Sequence, residues 1–74
     1  MASLDSLVGQ AIAQQRHALG LSQERLAHDC DLHRTYISQL ERGVKSPTLR
    51  VFFKIANVLK LKPSELMRRV EGGR

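Results

Sequence analysis

From Leu4 to Val70 the apolar residues recur at three- and four-residue steps nearly throughout, and no alternating strand pattern competes. A period near 3.6 buries one face of a helix, whereas a half-buried strand needs a period of two. A chain patterned this way has only helices to build with. Leu4, Leu7, Val8, Ala11, Ile12 and Leu19 predict a first helix over about 4–18, stopped by Gly20 at a site suited to positive φ. Ser22 is placed to cap a second, over about 23–30, with Leu26, Ala27 and Cys30 facing inward. A third, over about 33–42, stops at Gly43. Thr48 caps a fourth over about 49–59, and Pro63 suits the first turn of a fifth over about 63–70. The expected architecture is all-α: one compact five-helix domain over residues 1–70, with 71–74 as a flexible tail.

Only Asp31 and Leu32 separate the second and third helices. Two short helices joined so tightly must cross at a large angle. Projected at 100° per residue, Arg34, Thr35, Ser38, Gln39 and Arg42 share one face of the third helix, within about 140°. Ile37 and Leu40 lie opposite, with Tyr36 and Glu41 on the borders. The outer face carries no acid and no large aliphatic, and each of its side chains can donate a hydrogen bond. Arg pairs bidentately with guanine O6 and N7, Gln with adenine N6 and N7, and the Thr methyl meets the thymine methyl. A major groove is read with this chemistry; an ordinary solvated face is the plainer alternative.

Charge points the same way. The 74 residues carry a formal charge of +5 and an isoelectric point near 10.2, which favours a polyanionic partner, most simply nucleic acid. The excess is uneven: residues 1–31 hold two basic residues against four acidic, residues 32–70 nine against two. A single cysteine, Cys30, excludes an internal disulfide framework and a cysteine-based zinc finger. His28 and Cys30 diverge by roughly 200° on a helix, so with His33 they do not converge on a metal. No metal or other cofactor is expected, and no Ser, Cys, His and carboxylate set has catalytic spacing. No apolar run reaches membrane-spanning length. The opening Met1-Ala2-Ser3-Leu4-Asp5 lacks the basic and apolar stretches of a signal peptide, so a cytoplasmic setting is expected.

The fourth helix is apolar nearly all round. Leu49, Phe52, Ala56 and Leu59 suffice for a core stripe, while Val51, Ile55 and Val58 make a second one. Burial on two sides suggests a second copy of the chain, with Leu66, Met67 and Val70 extending that surface. A fully wrapped core helix is the alternative.

Leu21-Ser22-Gln23-Glu24-Arg25-Leu26-Ala27, Leu32, and Arg34-Thr35-Tyr36-Ile37-Ser38-Gln39-Leu40-Glu41-Arg42-Gly43 together resemble the Xre family of helix-turn-helix regulators, similar to lambdoid repressors and Cro. The likeness continues through Pro47-Thr48-Leu49, Lys54-Ile55-Ala56 and Pro63-Ser64-Glu65-Leu66, covering about residues 7–67. Arg34-Thr35-Tyr36-Ile37-Ser38 is most similar to the controller proteins of restriction–modification systems. The resemblance implies a lambda-repressor-like fold and a homodimeric regulator of transcription that binds double-stranded DNA at a palindromic operator. It gives base contacts to Arg34, Thr35, Ser38 and Gln39. Backbone contacts fall to Gln23, His33, Tyr36, Arg42, Lys45, Ser46, Thr48 and Arg50. It also implies a structural ion pair between Arg16 and Glu41. Glu24 matches a position that touches RNA polymerase in some activators. The competing expectation is an antitoxin or interaction adaptor with a toxin-like or other protein partner. Two departures bear on geometry: Asp31 and Lys60 stand where the family usually has glycine.

Overall fold

The computed structural model describes residues 2–73. Met1 and Arg74, which the expected boundaries 1–70 and 71–74 include, lie outside the described residues. Five helices follow in order: α1 Leu4–Ala18, α2 Gln23–Asp29, α3 Arg34–Glu41, α4 Leu49–Val58 and α5 Pro63–Gly72. Among the described residues there is no strand. α1 packs on both α3 and α5, α2 packs on α3, and α4 packs on α5 and α2. Ile12, Leu26, Ile37, Leu40, Ile55 and Leu59 are wholly buried where these elements meet.

Local signals set the ends. Ser3, Ser22 and Thr48 each accept from the amide three residues on, at 3.0–3.1 Å, an interaction that stabilises a helix start by about 1 kcal/mol. At α5 the roles change: the Glu65 carboxylate accepts from the Lys62 amide at 2.8 Å, and Pro63 opens the first turn. α1 to α4 all stop in the same way. After each C-cap one residue turns left-handed, and the amide beyond it reaches back to the carbonyl five residues earlier: Leu21 to Arg16, Leu32 to Ala27, Val44 to Gln39 and Leu61 to Ala56, at 2.8–3.1 Å. The left-handed residues are Gly20, Asp31, Gly43 and Lys60, with φ of 70°, 57°, 76° and 62°.

Three expectations change. Cys30, Arg42 and Leu59 cap their helices rather than continuing them, and His33 is the N-cap of α3. α5 runs on through Gly72, into the segment expected to be a flexible tail. The helix is held there because Val70 is buried and its end lies against Leu7 of α1. The third change concerns α4. Its core stripe is Phe52, Ile55, Ala56 and Leu59, all 5% exposed or less, while Leu49 is 73% exposed. Ile55 projects only about 40° from Leu59 and about 60° from Phe52, so it joins their face. Leu66 and Val70 are likewise sealed inside the protomer. Ile55, Leu66 and Val70 are therefore unavailable to a second copy. Val51 and Val58 are half-buried, packed against the core, and Met67 alone of the expected interface is exposed.

Gly9 fixes how α1 meets α3. A Cβ built there would come within 2.5 Å of the Glu41 carbonyl oxygen. Glycine lets the two backbones touch, and the crossing presses the inner side of α3 on the core while its other side faces out.

Candidate nucleic-acid interface

α3 is anchored by Ile37 and Leu40, neither of which has measurable exposure. Its opposite side presents Arg34 and Thr35 fully, Ser38 and Gln39 partly, and Arg42 at the C-cap. Among the described residues, the side chains of Arg34, Thr35, Ser38 and Gln39 make no hydrogen bond within the chain; Arg42 makes one long contact, 3.4 Å, from Nε to the Ser38 carbonyl. Donors lined up on a rigid helix with no internal partner are preorganised for an external one. Asp31 sets the tilt: its left-handed backbone sends the Leu32 amide back to Ala27 at 2.8 Å and so aims the start of α3 outward. His33 caps that start with its backbone only and leaves its exposed ring unengaged there.

Behind this face lies a charged network. Arg16 donates to both carboxylate oxygens of Glu41, at 2.7 and 2.9 Å, and to the Leu21 carbonyl at 2.9 Å. Both side chains are below 10% exposure. Gln23 donates to the same carboxylate at 3.0 Å. Glu41 thus sits on the edge of a donor-rich surface with its charge compensated. Gln23, read from the sequence as a phosphate contact, is seated against the protein and keeps a second amide proton.

The other backbone-contact candidates divide in two. Arg42, Lys45 and Arg50 are exposed in or beside the connection from α3 to α4. Ser46, Thr48 and Tyr36 have duties within the fold. Ser46 donates to the Asp5 carboxylate, Thr48 caps α4, and Tyr36 is half-buried against the core. Nearby, the His28 ring and then Arg25 hold the Asp29 carboxyl below its ordinary range. Burial raises the Cys30 thiol above its own. Among the described residues no group of three His, Cys, Asp or Glu side chains could hold a metal ion, and no helix is long and apolar enough to cross a membrane.

Of one exposed apolar face, sequence reasoning found Met67 and missed Leu4, Leu49 and Phe53. Leu4, Leu49, Phe53 and Met67 are 38–73% exposed, and Leu4, Leu49 and Met67 line one shallow groove while Leu49 and Phe53 share the next. The available signal was Phe53 one turn beyond Leu49, a four-residue step that no core stripe needed.

A profile described as helix-turn-helix matches residues 12–66. The control protein C.BamHI of Bacillus amyloliquefaciens is 45% identical over 62 residues, spanning 82% of this chain and 76% of that protein. The control protein C.SmaI of Serratia marcescens is 32% identical over 66 residues, 89% of this chain and 79% of its own. Among solved structures, the restriction-modification controller protein C.AhdI from Aeromonas hydrophila superposes with a TM-score of 0.81 at 39% identity, over 84% of this chain and 94% of that one.

Proposed function

The chain belongs to the helix-turn-helix family, and on that footing we propose that it is a sequence-specific DNA-binding regulator of transcription, not an enzyme, acting in the cytoplasm as a restriction–modification controller. The observation that carries the reading is the row of unpaired donors on α3, Arg34, Thr35, Ser38 and Gln39, on a face free of uncompensated acid. Set in a major groove, Arg34 pairs with a guanine, Gln39 with an adenine, and Thr35 and Ser38 fill between. His33, Tyr36, Arg42, Lys45, Thr48 and Arg50, with the second amide proton of Gln23, lie along phosphates and fix the register without reading sequence; Ser46, whose hydroxyl proton goes to Asp5, has only its backbone amide to offer there.

The operator is palindromic because the protein is a homodimer. Leu4, Leu49, Phe53 and Met67 form the apolar surface a second copy covers, while Val51 and Val58 project from the other side of α4. A protomer measures 31 × 23 × 23 Å, so a two-fold pair can meet half-sites one helical turn, about 34 Å, apart. With no sensor domain in these residues, control runs through protein concentration and dimerisation. Glu24, exposed on α2, is the residue through which bound protein would touch RNA polymerase. The naming of the relatives as control proteins favours this reading over an antitoxin or interaction adaptor with a toxin-like partner.

Selection from genomic fragments, then titration of the selected duplex and a scrambled one at two salt concentrations, tests it. A palindrome bound at least about a thousandfold more tightly than scrambled DNA is expected. Equal, weak and salt-sensitive binding to both would overturn the operator reading.

A further inference from the structure

The connection from α3 to α4 carries Lys45 and the Ser46 amide that the operator reading sets on phosphates, yet it is loosely held for such work. α3 ends with the Val44 amide on the Gln39 carbonyl at 3.1 Å, and α4 begins with its cap at Thr48. Among the described residues, no backbone amide or carbonyl of Lys45, Ser46 or Pro47 makes a hydrogen bond within the chain. Their one tether is the Ser46 hydroxyl, which donates to the Asp5 carboxylate across 41 residues of sequence.

The far side of that tether is firm. Ser3 caps α1, its hydroxyl accepting from the Ser6 amide at 3.1 Å. Ser6 lies against Gly43, where a Cβ would come within 2.8 Å of the Ser6 hydroxyl and 2.9 Å of its Cα. Asp5 stands in the same turn, where its charge also suits the positive end of the helix dipole. Leu4, the residue before it, belongs to the face a second copy covers. Asp5, Ser46 and Pro47 line the groove that holds Leu4, Leu49 and Met67. The first turn of α1 therefore joins the dimer face to the loop meant for DNA.

The sign of the charge makes this arrangement informative. A carboxylate beside a phosphate-binding loop repels DNA, so by charge alone its loss would tighten binding. We propose that Asp5 is a positioning residue for DNA binding. It takes the Ser46 hydroxyl proton, fixes the loop, and so presents the Lys45 ammonium and the Ser46 amide to one phosphate in each half-site. A loop ordered beforehand need not be ordered on binding, and that gain exceeds the screened repulsion of one carboxylate. The inference rests on the operator reading.

Three variants separate the bond from the charge. Asp5→Ala removes both, Asp5→Asn removes the charge and keeps an acceptor, and Ser46→Ala keeps the charge and removes the bond. Each is titrated against the selected duplex at two salt concentrations. Sedimentation at the same concentrations gives the dimer fraction, so that affinity is expressed per dimer. Both Asp5 variants lose the same interaction with the helix dipole, so a difference in duplex affinity between them does not come from α1 stability. Asp5→Ala and Ser46→Ala should bind about two- to tenfold more weakly, with a salt dependence shallower by about one phosphate contact. Asp5→Asn should bind at least as tightly as the wild type. Tighter binding by Asp5→Ala would overturn the proposal, as would equal affinities of Asp5→Ala and Asp5→Asn, or a loss that vanishes once affinity is expressed per dimer. A wild-type protein that does not distinguish the selected duplex from a scrambled one sinks the operator reading, and the positioning role with it. That failure shows in the wild type, whereas failure of the positioning role alone shows only in the variants.

Discussion

Replacing Lys60 by glycine should stabilise the protein. Lys60 follows the C-cap of α4 with φ 62°, and a left-handed backbone costs an L-residue about 1–2 kcal/mol. Glycine escapes that cost but gives the unfolded chain more freedom, about 0.4–1 kcal/mol. The side chain is exposed and makes no internal hydrogen bond among the described residues, so nothing else is lost. The net gain is about 0.5–1 kcal/mol, or a rise in Tm of about 2–8 °C for a domain of this size. Urea titration with an unchanged m-value, together with calorimetry, reads both quantities. Two controls share the geometry. Gly20→Ala places a Cβ with no atom within 4 Å at φ 70°, so it should lose roughly what Lys60→Gly gains. Gly43→Ala adds contacts of 2.8 and 2.9 Å to Ser6 and should lose clearly more. A destabilised Lys60→Gly protein, or equal losses at Gly20 and Gly43, would refute the reasoning.

Four further outcomes are expected. Arg34→Ala should relax base choice at one position in each half-site and weaken operator binding by about 1–3 kcal/mol, read by repeating the selection. Glu41→Ala, which strands Arg16 at 8% exposure, should destabilise by about 3–5 kcal/mol in urea, and Arg16→Met with Glu41→Leu should recover much of it. Leu49→Glu with Met67→Glu should leave the helical spectrum intact yet yield monomers in sedimentation and weaken operator binding. Burial raises the Cys30 thiol above its ordinary value of 9.0. The unfolded chain therefore gives up that proton first, and wild-type stability should fall as pH climbs past that value. Cys30→Ala should lack this increment of alkaline loss, which paired urea titrations across the range would show.

Some of these features were written in the residue order. The five helices, their serine and threonine starts and the tight Asp31-Leu32 turn follow from short-range chemistry. A cap reaches three residues, and a breaker acts where it stands. The donor-rich face of α3 was legible because Ile37 and Leu40 leave only one side of so short a helix to the outside.

The phase of α4 was not legible in the same way. Eight of its eleven expected positions are apolar, so more than one stripe met the helical period. Burial by α2 and α5 selected Ile55 over Leu49 and left Phe53 outside. The extension of α5 to Gly72 depended likewise on Leu7, more than sixty residues away in sequence.

What the sequence determined by itself is therefore what neighbours in the chain decide: helix starts, stops, and the side chains carried on the third helix. What only the tertiary structure decided is which apolar residues are inside, and which polar groups are already spoken for. The Gln23 amide turned to Glu41, the Ser46 hydroxyl held by Asp5 and the contact of α1 with α3 at Gly9 are meetings across many residues. No local periodicity encodes them, because each depends on where the other helix comes to rest.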